Sequence, residues 1–265
     1  MMNMTETVKQ LLIINVLFFI GSYFVPQANE LLSLHYFESD GFKFWQPITH
    51  MFMHGSLMHI FFNMFALVSF GSALEHFWGP KKFLFFYFSC GIGAALLQSG
   101  INYYEFHSLM NELSVPSISE VDLNSMLHAN MSDGRSFRSD LLFEATKPLL
   151  EKYNFDSDNF AILFKAACEN QSVMLGASGA IYGLLVAFAF MFPNAELALM
   201  FIPVPIKAKY FVPVIVLLDL FSGVTGYSIF GGGIAHFAHV GGALIGFIMM
   251  WYWKKNQFNQ NRWDR

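Results

Sequence analysis

The chain alternates long apolar runs with short polar connections, and several runs approach the length of a membrane-spanning helix. Such a helix needs about 20 mostly apolar residues to cross the hydrocarbon core of a bilayer. Six spans are predicted on this basis, at 8–25, 50–74, 83–101, 173–192, 210–224 and 234–253. The pattern therefore predicts an all-α membrane protein with a bundle of six transmembrane helices.

One connection is much longer than the others. Residues 102–172 form a polar insertion between the third and fourth spans, and its apolar residues recur at roughly helical spacing, with Pro148 as a break or restart. These residues are Phe137, Leu141, Leu142, Leu149, Leu150 and Tyr153. A second short amphipathic helix is predicted at 159–167. Two interpretations remain open: a small helical lid or surface subdomain without chemistry, or a substrate-recruiting or gating element.

Composition supports the membrane assignment. Hydrophobic residues make up 55% of the 265 positions and charged residues only 13%, whereas soluble domains average about 25% charged. The two cysteines, Cys90 and Cys168, are too few for a disulfide framework. Basic residues are few and are not patterned with aromatic residues, so a nucleic-acid partner is not expected.

The distribution of basic residues predicts the orientation. Short loops on the cytoplasmic side of a membrane are enriched in lysine and arginine. If the N-terminus is cytoplasmic, the short external loops contain only Lys43. The cytoplasmic segments then contain Lys9, Lys81, Lys82, Lys207, Lys209, Lys254, Lys255, Arg262 and Arg265. Both termini are therefore predicted to be cytoplasmic, and the insertion lies outside.

A serine in the fourth span is the first candidate for chemistry, because polar groups inside a span are costly. The motif Gly176-Ala-Ser178-Gly179 places Ser178 about five residues inside the span, roughly 7–8 Å below its external end at about 1.5 Å per residue. The flanking glycines would let the backbone kink and would expose amide donors, as in the turns that present nucleophilic serines. A lone serine in a membrane helix is usually a packing residue, so the motif needs a partner.

The sixth span offers that partner. His239 also lies about five residues from the external end, so it should sit at the depth of Ser178. A stripe of small residues follows it, with Gly242 and Gly246 at the spacing that allows close helix approach. The fourth span has its own small face, at Gly179, Ala180 and Gly183. Docking of these faces would bring an imidazole within reach of a hydroxyl, as a serine nucleophile requires.

The second span contains three histidines and an asparagine. His50 and His54 are four residues apart and predicted to share one face, as are His59 and Asn63. The five-residue step between the pairs turns them in different directions. His59 and Asn63 could thus aim two hydrogen-bond donors at one interior point, where a developing oxyanion would be stabilised. His50 and His54 are interpreted as structural, holding the preceding loop.

Three further ionisable groups lie in or near the spans: Glu75, Asp219 and His236. Glu75 is predicted to cap or pair at the cytoplasmic end of the second span. Asp219 has no obvious partner and stays outside the predicted site, although a serine protease could use an acid as a third member. A metal site is not favoured, because no HExxH sequence occurs and no carboxylate accompanies the histidine pairs at ligand spacing.

Together these motifs resemble the rhomboid family of intramembrane serine proteases. That family has Gly-x-Ser-Gly in the fourth of six spans, Ala-His-x-x-Gly in the sixth, and His-x3-His-x4-His-x3-Asn in the second. All three occur here, in order, at 176–179, 238–242 and 50–63. The resemblance covers the chain outside the insertion and the tails.

The resemblance implies a role for each matching residue. Ser178 would attack the scissile carbonyl, and His239 would take its proton and return it to the leaving amine, without an acidic third member. His59, Asn63 and the Ser178 amide would form the oxyanion hole, and Tyr182 would stack on His239. The supporting positions are Gly176, Gly179 and Gly242. No metal or other cofactor is implied.

One departure from the family pattern lies in the loop before the second span. The family often has Trp-Arg there, and this chain has Trp45-Gln46. These positions are structural in the family, so the departure puts the packing of the loop in doubt more than catalysis.

The resulting prediction is an intramembrane serine endopeptidase that cuts in or near transmembrane segments of membrane proteins within the lipid bilayer. The alternative is a catalytically inactive relative that binds membrane clients. The predicted parts are spans one to three at 1–101, the insertion at 102–172, spans four to six at 173–253 and a cytoplasmic tail at 254–265. The predicted location is the inner membrane of a bacterial cell, and the sequence does not determine the oligomeric state.

Overall fold

The computed structural model describes residues 4–134, 136–199, 202–228 and 233–260. In this part of the chain the helices are α1 Glu6–Phe24, α2 Gln27–Leu32, α3 Gln46–Thr49, α4 Leu57–Ala66, α5 Ser72–Trp78, α6 Pro80–Glu112, α7 Glu120–Leu127, α8 Ser139–Lys152, α9 Ser157–Gln171, α10 Ser178–Met191, α11 Ala208–Thr225 and α12 His236–Gln260. A 3₁₀ turn, His50–Phe52, follows α3, and a π turn, Leu67–Gly71, joins α4 to α5. The strands are β1 Leu34–His35, β2 Val173–Met174, β3 Glu196–Leu199 and β4 Ile202–Lys207.

The mostly helical fold agrees with the predicted class. Four helical segments are long and apolar enough to cross a membrane: Glu6–Phe24, Leu57–Trp78, Pro80–Glu112 and Ala208–Thr225. The other two predicted spans coincide with α10, which is apolar but has only 14 residues, and with α12. The number of helices that cross the membrane stays a prediction, as do the domain bounds. Residues 261–265 of the predicted tail lie outside the described part.

The second predicted span begins later than expected. Its continuous helix starts at Leu57, where the Ser56 hydroxyl accepts from the His59 amide and caps α4. His50 lies in the 3₁₀ turn and His54 in the loop that follows. The prediction that these two histidines share a helix face is therefore wrong.

Contacts divide the described residues into two compact units. The first contains 4–34, 44–98 and the described part of 174–260, and the second contains 35–43 and 99–173. The first unit has a core of large apolar side chains, among them Leu67, Leu74, Phe83, Phe86, Tyr87 and Leu184. Its helices α10, α11 and α12 pack on one another. β3 and β4, which lie between α10 and α11 in the sequence, pair as antiparallel strands with Glu196 opposite Lys207.

Glu75 fastens the start of α1 within the first unit. It is 6% exposed, and its carboxylate accepts from the backbone amides of Thr7 and Val8 at 3.1 and 3.0 Å. The first amides of a helix have no partner within the helix and carry partial positive charge. The carboxylate satisfies two of them, so Glu75 caps α1 from its position near the end of the second predicted span.

The second unit is a small helical subdomain with its own apolar core, formed by α7, α8, α9 and the end of α6. Its buried members are Met126, Leu127, Met131, Leu142, Leu150, Leu163, Ala166 and Ala167. Phe106, Leu109 and Met110 on the last turns of α6 pack against this core. These contacts stabilise the last turns of α6, so the helix continues to Glu112. The third span was predicted to end at residue 101, and the helix is therefore longer than predicted.

Pro148 does not interrupt α8, which runs from Ser139 to Lys152. Proline removes one intrahelical hydrogen bond and usually bends or breaks a helix. Here Leu142 and Leu150, one on each side, are buried in the same core, and this packing stabilises the helix across the missing bond. The prediction of a break at Pro148 is wrong.

Candidate active site

The side chains of Ser178 and His239 meet between α10 and α12. Ser178 Oγ lies 2.9 Å from His239 Nε2, a distance at which the hydroxyl can donate to the imidazole nitrogen. Ser178 is the first residue of α10 and His239 the fourth of α12. The contact agrees with the prediction. The predicted depth of five helical residues above Ser178 is wrong, because the residues before Ser178 are not helical.

Gly176 explains why the helix begins at Ser178. Its φ is +120°, a conformation that residues with a side chain rarely adopt, and its amide donates to His50 O at 2.9 Å. A Cβ on Gly176 would lie 2.7 Å from His59 Nε2 and 3.7 Å from Ser178 Oγ. The glycine thus turns the chain into α10 and leaves room for the imidazole of His59 beside the serine.

The small-residue faces of α10 and α12 dock as predicted. A Cβ on Gly242 would lie 1.8 Å from Gly179 O, and one on Gly246 would lie 2.8 Å from the Cα of Gly183. Neither space could hold a methyl group without moving backbone. The two backbones therefore touch directly, and this approach brings His239 to Ser178.

His59 and Asn63 lie on successive turns of α4. His59 is partly buried and Asn63 is 6% exposed. The Gly55 amide donates to His59 Nδ1 at 3.5 Å, so the proton of the neutral ring is on Nε2, the nitrogen that faces Gly176. His59 is therefore oriented as a donor toward the start of α10.

His50 connects two loops of the first unit. Its Nδ1–H donates to Gln46 O at 2.9 Å, and its own carbonyl accepts from the Gly176 amide. This agrees with the structural role predicted for it. The ring of His54 contacts that of His59 edge-on, with centroids 5.0 Å apart, so it supports that ring from the side.

Tyr182 lies one turn after Ser178 and contacts the predicted base. Its ring stacks on the imidazole of His239, with centroids 4.3 Å apart and planes 10° apart. Its hydroxyl donates to Asp219 Oδ2. The ring limits the orientations available to the imidazole, while the hydroxyl contacts the acid on α11.

Asp219 was predicted to lie outside the site, and the structure places it inside. The carboxylate is 2% exposed, and its Oδ1 lies 3.1 Å from His239 Nδ1 and 2.6 Å from His236 Nδ1. His236 Nε2 lies 3.0 Å from Ser228 Oγ. The prediction of a site without an acid beside the histidine is wrong, because α11 brings in a residue 20 positions away in the sequence.

A signal for this contact was present in the sequence. A buried carboxylate in an apolar helix needs several hydrogen-bond donors, and the histidines at positions 236 and 239 are three residues apart on the next helix. A carboxylate does accompany this histidine pair at a distance suitable for metal ligands, contrary to the prediction. Ligand atoms of Asp219, His236 and His239 lie within 4.8 Å of one another and could hold an ion, although here they are joined by hydrogen bonds.

Comparison with known proteins identifies a family whose domain includes these residues. A family model described as the Rhomboid domain matches residues 41–109 and 156–256, well over half of the chain. The chain belongs to the rhomboid family. The match contains every residue of the candidate site, and the unmatched residues 110–155 fall within the predicted insertion.

Relatives from eukaryotes share this rhomboid sequence. An uncharacterized mitochondrial rhomboid protein of Schizosaccharomyces pombe is 26% identical over 228 residues, which cover 80% of this chain and 52% of the relative. Rhomboid protein 1, mitochondrial, of Saccharomyces cerevisiae is 36% identical over 81 residues, 31% of this chain and 22% of the relative. Rhomboid-like protein 15 of Arabidopsis thaliana is 35% identical over 81 residues, 28% of this chain and 20% of the relative. The chain spans about half or less of the length of these relatives.

Family membership and the apolar helices make this rhomboid an integral membrane protein. The predicted bacterial inner membrane receives no support from relatives that are eukaryotic and, in two cases, mitochondrial by name.

The departure from the family pattern at Gln46 is accommodated in the fold. Gln46 is fully buried, and its amide donates to Leu31 O at 3.4 Å. Trp45 Nε1 donates to the same carbonyl at 2.9 Å. The loop before α4 is therefore held without the arginine that the family often has.

Proposed function

We propose that this rhomboid is an intramembrane serine endopeptidase in which Ser178 is the nucleophile and His239 the base. The observation that carries the proposal is the 2.9 Å separation of Ser178 Oγ and His239 Nε2 across α10 and α12. Membership of a family of intramembrane proteases supports it. A hydroxyl beside an imidazole whose other nitrogen is held by a third group is the usual arrangement of an activated serine.

The proposed reaction gives each of these groups one step. Ser178 Oγ adds to the carbonyl carbon of the scissile peptide while its proton passes to His239 Nε2. The oxyanion accepts hydrogen bonds from His59 Nε2–H, the Asn63 amide and the Ser178 backbone amide. Collapse of the tetrahedral intermediate breaks the C–N bond, and the proton on His239 goes to the leaving amine. Water, deprotonated by His239, then releases the acyl group and regenerates the serine.

The substrates in this proposal are single-span membrane proteins, cut near the outer end of the transmembrane helix. A helical substrate holds its carbonyls in intrahelical hydrogen bonds, so it must unwind locally before attack. Segments with glycine or proline near the cut are expected to react faster, and equal cleavage of an unbroken leucine run would contradict this. Both termini of the protease are assigned to the side opposite the site, from the excess of lysine and arginine in those segments.

The experiment that tests the proposal compares two serine variants of the purified full chain in detergent, with a labelled membrane-spanning substrate. Ser178→Ala removes the nucleophile. Ser22→Ala is the matched control, because Ser22 is also a buried helix serine but donates only to Phe19 O of its own helix. The proposal expects no cleavage by the first variant and wild-type cleavage by the second. Cleavage by Ser178→Ala would contradict it, and no cleavage by any form with any substrate would favour the inactive, client-binding alternative.

A further inference from the structure

Asp219 is the one acid among the described residues that contacts the proposed base, and its two oxygens are used differently. Oδ1 faces the Nδ1 atoms of His239 and His236, at 3.1 and 2.6 Å, while Oδ2 accepts from the Tyr182 hydroxyl. A buried carboxylate is costly unless donors surround it, and here three donors from α10 and α12 do so. The acid is thus held in one orientation.

The contact determines which nitrogen of His239 carries the proton. An ionised carboxylate only accepts hydrogen bonds, so Nδ1 of His239 must carry a hydrogen to bond with Asp219. In a neutral imidazole the other nitrogen is then an acceptor. That nitrogen is Nε2, which lies 2.9 Å from Ser178 Oγ. The tautomer that Asp219 selects is the one that can take the serine proton.

His236 supports the acid without approaching the serine. Its Nδ1–H donates to Asp219 Oδ1, so its Nε2 accepts from the hydroxyl of Ser228 at 3.0 Å. The histidine is 8% exposed and lies one turn before His239 on α12. His236 therefore holds Asp219 Oδ1, the oxygen that also contacts His239.

We propose that Asp219 is a positioning residue for the reaction, which makes the site a Ser178–His239–Asp219 triad where the family resemblance implies a dyad. The inference rests on the proposed function, since it concerns how the base of that reaction is oriented. Asp219 holds the Nδ1–H tautomer of His239 and faces the positive charge that forms on the ring when the serine proton arrives.

The test replaces Asp219 with asparagine in the purified full chain. The substitution keeps the size of the side chain, but the new amide N–H can donate to Nδ1 of His239 and so favour the tautomer in which Nε2 is protonated. We expect kcat to fall at least about 100-fold while KM changes less than about threefold. Asp219→Glu, which keeps the carboxylate, should recover part of the lost kcat. Ser222→Ala is the control for packing of α11, because Ser222 is equally buried and lies one turn away; we expect its kcat to stay within about twofold of wild type.

Nitrogen NMR of ¹⁵N-histidine-labelled protein gives a readout that a purely structural role of Asp219 would not move. The His239 signals, assigned by their loss in His239→Gln, should show protonated Nδ1 in the wild type and protonated Nε2 in Asp219→Asn. This measurement holds for the wild type even if the variant does not fold. A wild-type His239 protonated on Nε2, or an Asp219→Asn variant with wild-type kcat, would overturn the inference. If Ser178→Ala is inactive while Asp219→Asn is fully active, the positioning role fails and the proposed function stands; if Ser178→Ala is active, the proposed function itself fails.

Discussion

The ring of Tyr182 lies parallel to the imidazole of His239, with centroids 4.3 Å apart and planes inclined by 10°. Tyr182 lies on α10 and His239 on α12, and the close approach of these helices brings the two rings together. The stacking therefore depends on the same backbone contact as the Ser178–His239 hydrogen bond.

The two functions of the Tyr182 side chain can be separated by substitution. Tyr182→Phe keeps the stacked ring and removes only the bond to Asp219 Oδ2, so we expect kcat to fall less than about tenfold. Tyr182→Ala frees the imidazole to rotate, and we expect a loss of about 100-fold. Steady-state cleavage kinetics measure both. Equal losses in the two variants would show that the stacked ring does not orient His239.

The proposed oxyanion hole predicts a specific kinetic pattern. His59→Ala and Asn63→Ala should each lower kcat by about 10²–10³ with a smaller change in KM, because the donors act on charge that develops only in the transition state. His76→Ala is the control, since His76 is exposed on α5, which follows α4 in the same apolar helical segment. Variants of His59 and Asn63 that raise KM and leave kcat unchanged would place these side chains in substrate binding instead.

The glycine contact between α10 and α12 predicts which methyl groups the fold can accept. A Cβ on Gly242 would lie 1.8 Å from Gly179 O, whereas a Cβ on Gly21 of α1 would meet no packed neighbour within 4 Å. Gly242→Ala should therefore separate the helices, lower the unfolding temperature and abolish most activity. Gly21→Ala should leave activity unchanged and stabilise α1 slightly, by about 0.5–1 kcal/mol at most. Thermal unfolding and cleavage measured on both variants check this, and an active, stable Gly242→Ala would refute the docking of the two faces.

The helical subdomain is expected to lose stability as pH rises. Burial, and then the negative charge of Glu105, raise the pKa of Glu169 from 4.5 to about 7. The folded chain thus keeps a proton that the unfolded chain releases, so this stabilising contribution is present below about pH 4.5 and is lost as pH rises through about 7. Glu169→Gln, which is neutral throughout, should raise the unfolding temperature at pH 8 by about 2 °C or more and have little effect at pH 5.

The control for Glu169 is Glu144→Gln, because Glu144 is exposed on α8. Its effect on the unfolding temperature should not differ between the two pH values. If Glu169→Gln changes the unfolding temperature by the same amount at pH 5 and pH 8, the folded state does not favour the neutral form of Glu169.

The pairing of Ser178 with His239 could be predicted from sequence because both residues carry local information. Each lies beside glycines at the spacing that allows two helices to pack closely. These are Gly179 and Gly183 in α10, and Gly242 in α12. The contact between helices then follows from steric size alone.

The role of Asp219 could not be derived in the same way. Whether a residue in α11 faces α12 depends on how the two helices are rotated about their axes, and the sequence of α11, in which Ser222 is the one polar residue a turn from Asp219, does not fix that rotation. The start of α10 was misplaced for a different reason. Val173 and Met174 are apolar, so the pattern places them in a span, but they form β2, and the positive φ of Gly176 delays the helix to Ser178.

The extent of the insertion was also only partly predictable. Residues 102–112 are polar enough to be assigned to a loop, yet Phe106, Leu109 and Met110 pack on a core whose other members extend to Ala167, much later in the sequence. The apolar face of these turns packs on residues far away in the sequence, and no local signal ends the helix at residue 101. For this reason α6 continues to Glu112.

The most direct measurement of the central claim is covalent labelling of the proposed nucleophile. Purified wild-type protein in detergent is treated with a fluorophosphonate, which reacts with activated serines, and the modified residue is identified by peptide mass spectrometry. We expect one adduct, on Ser178, and its formation should be lost in His239→Gln but not in His76→Gln. Absence of the Ser178 adduct from protein that cleaves its substrate, or labelling that persists without His239, would contradict the Ser178–His239 mechanism.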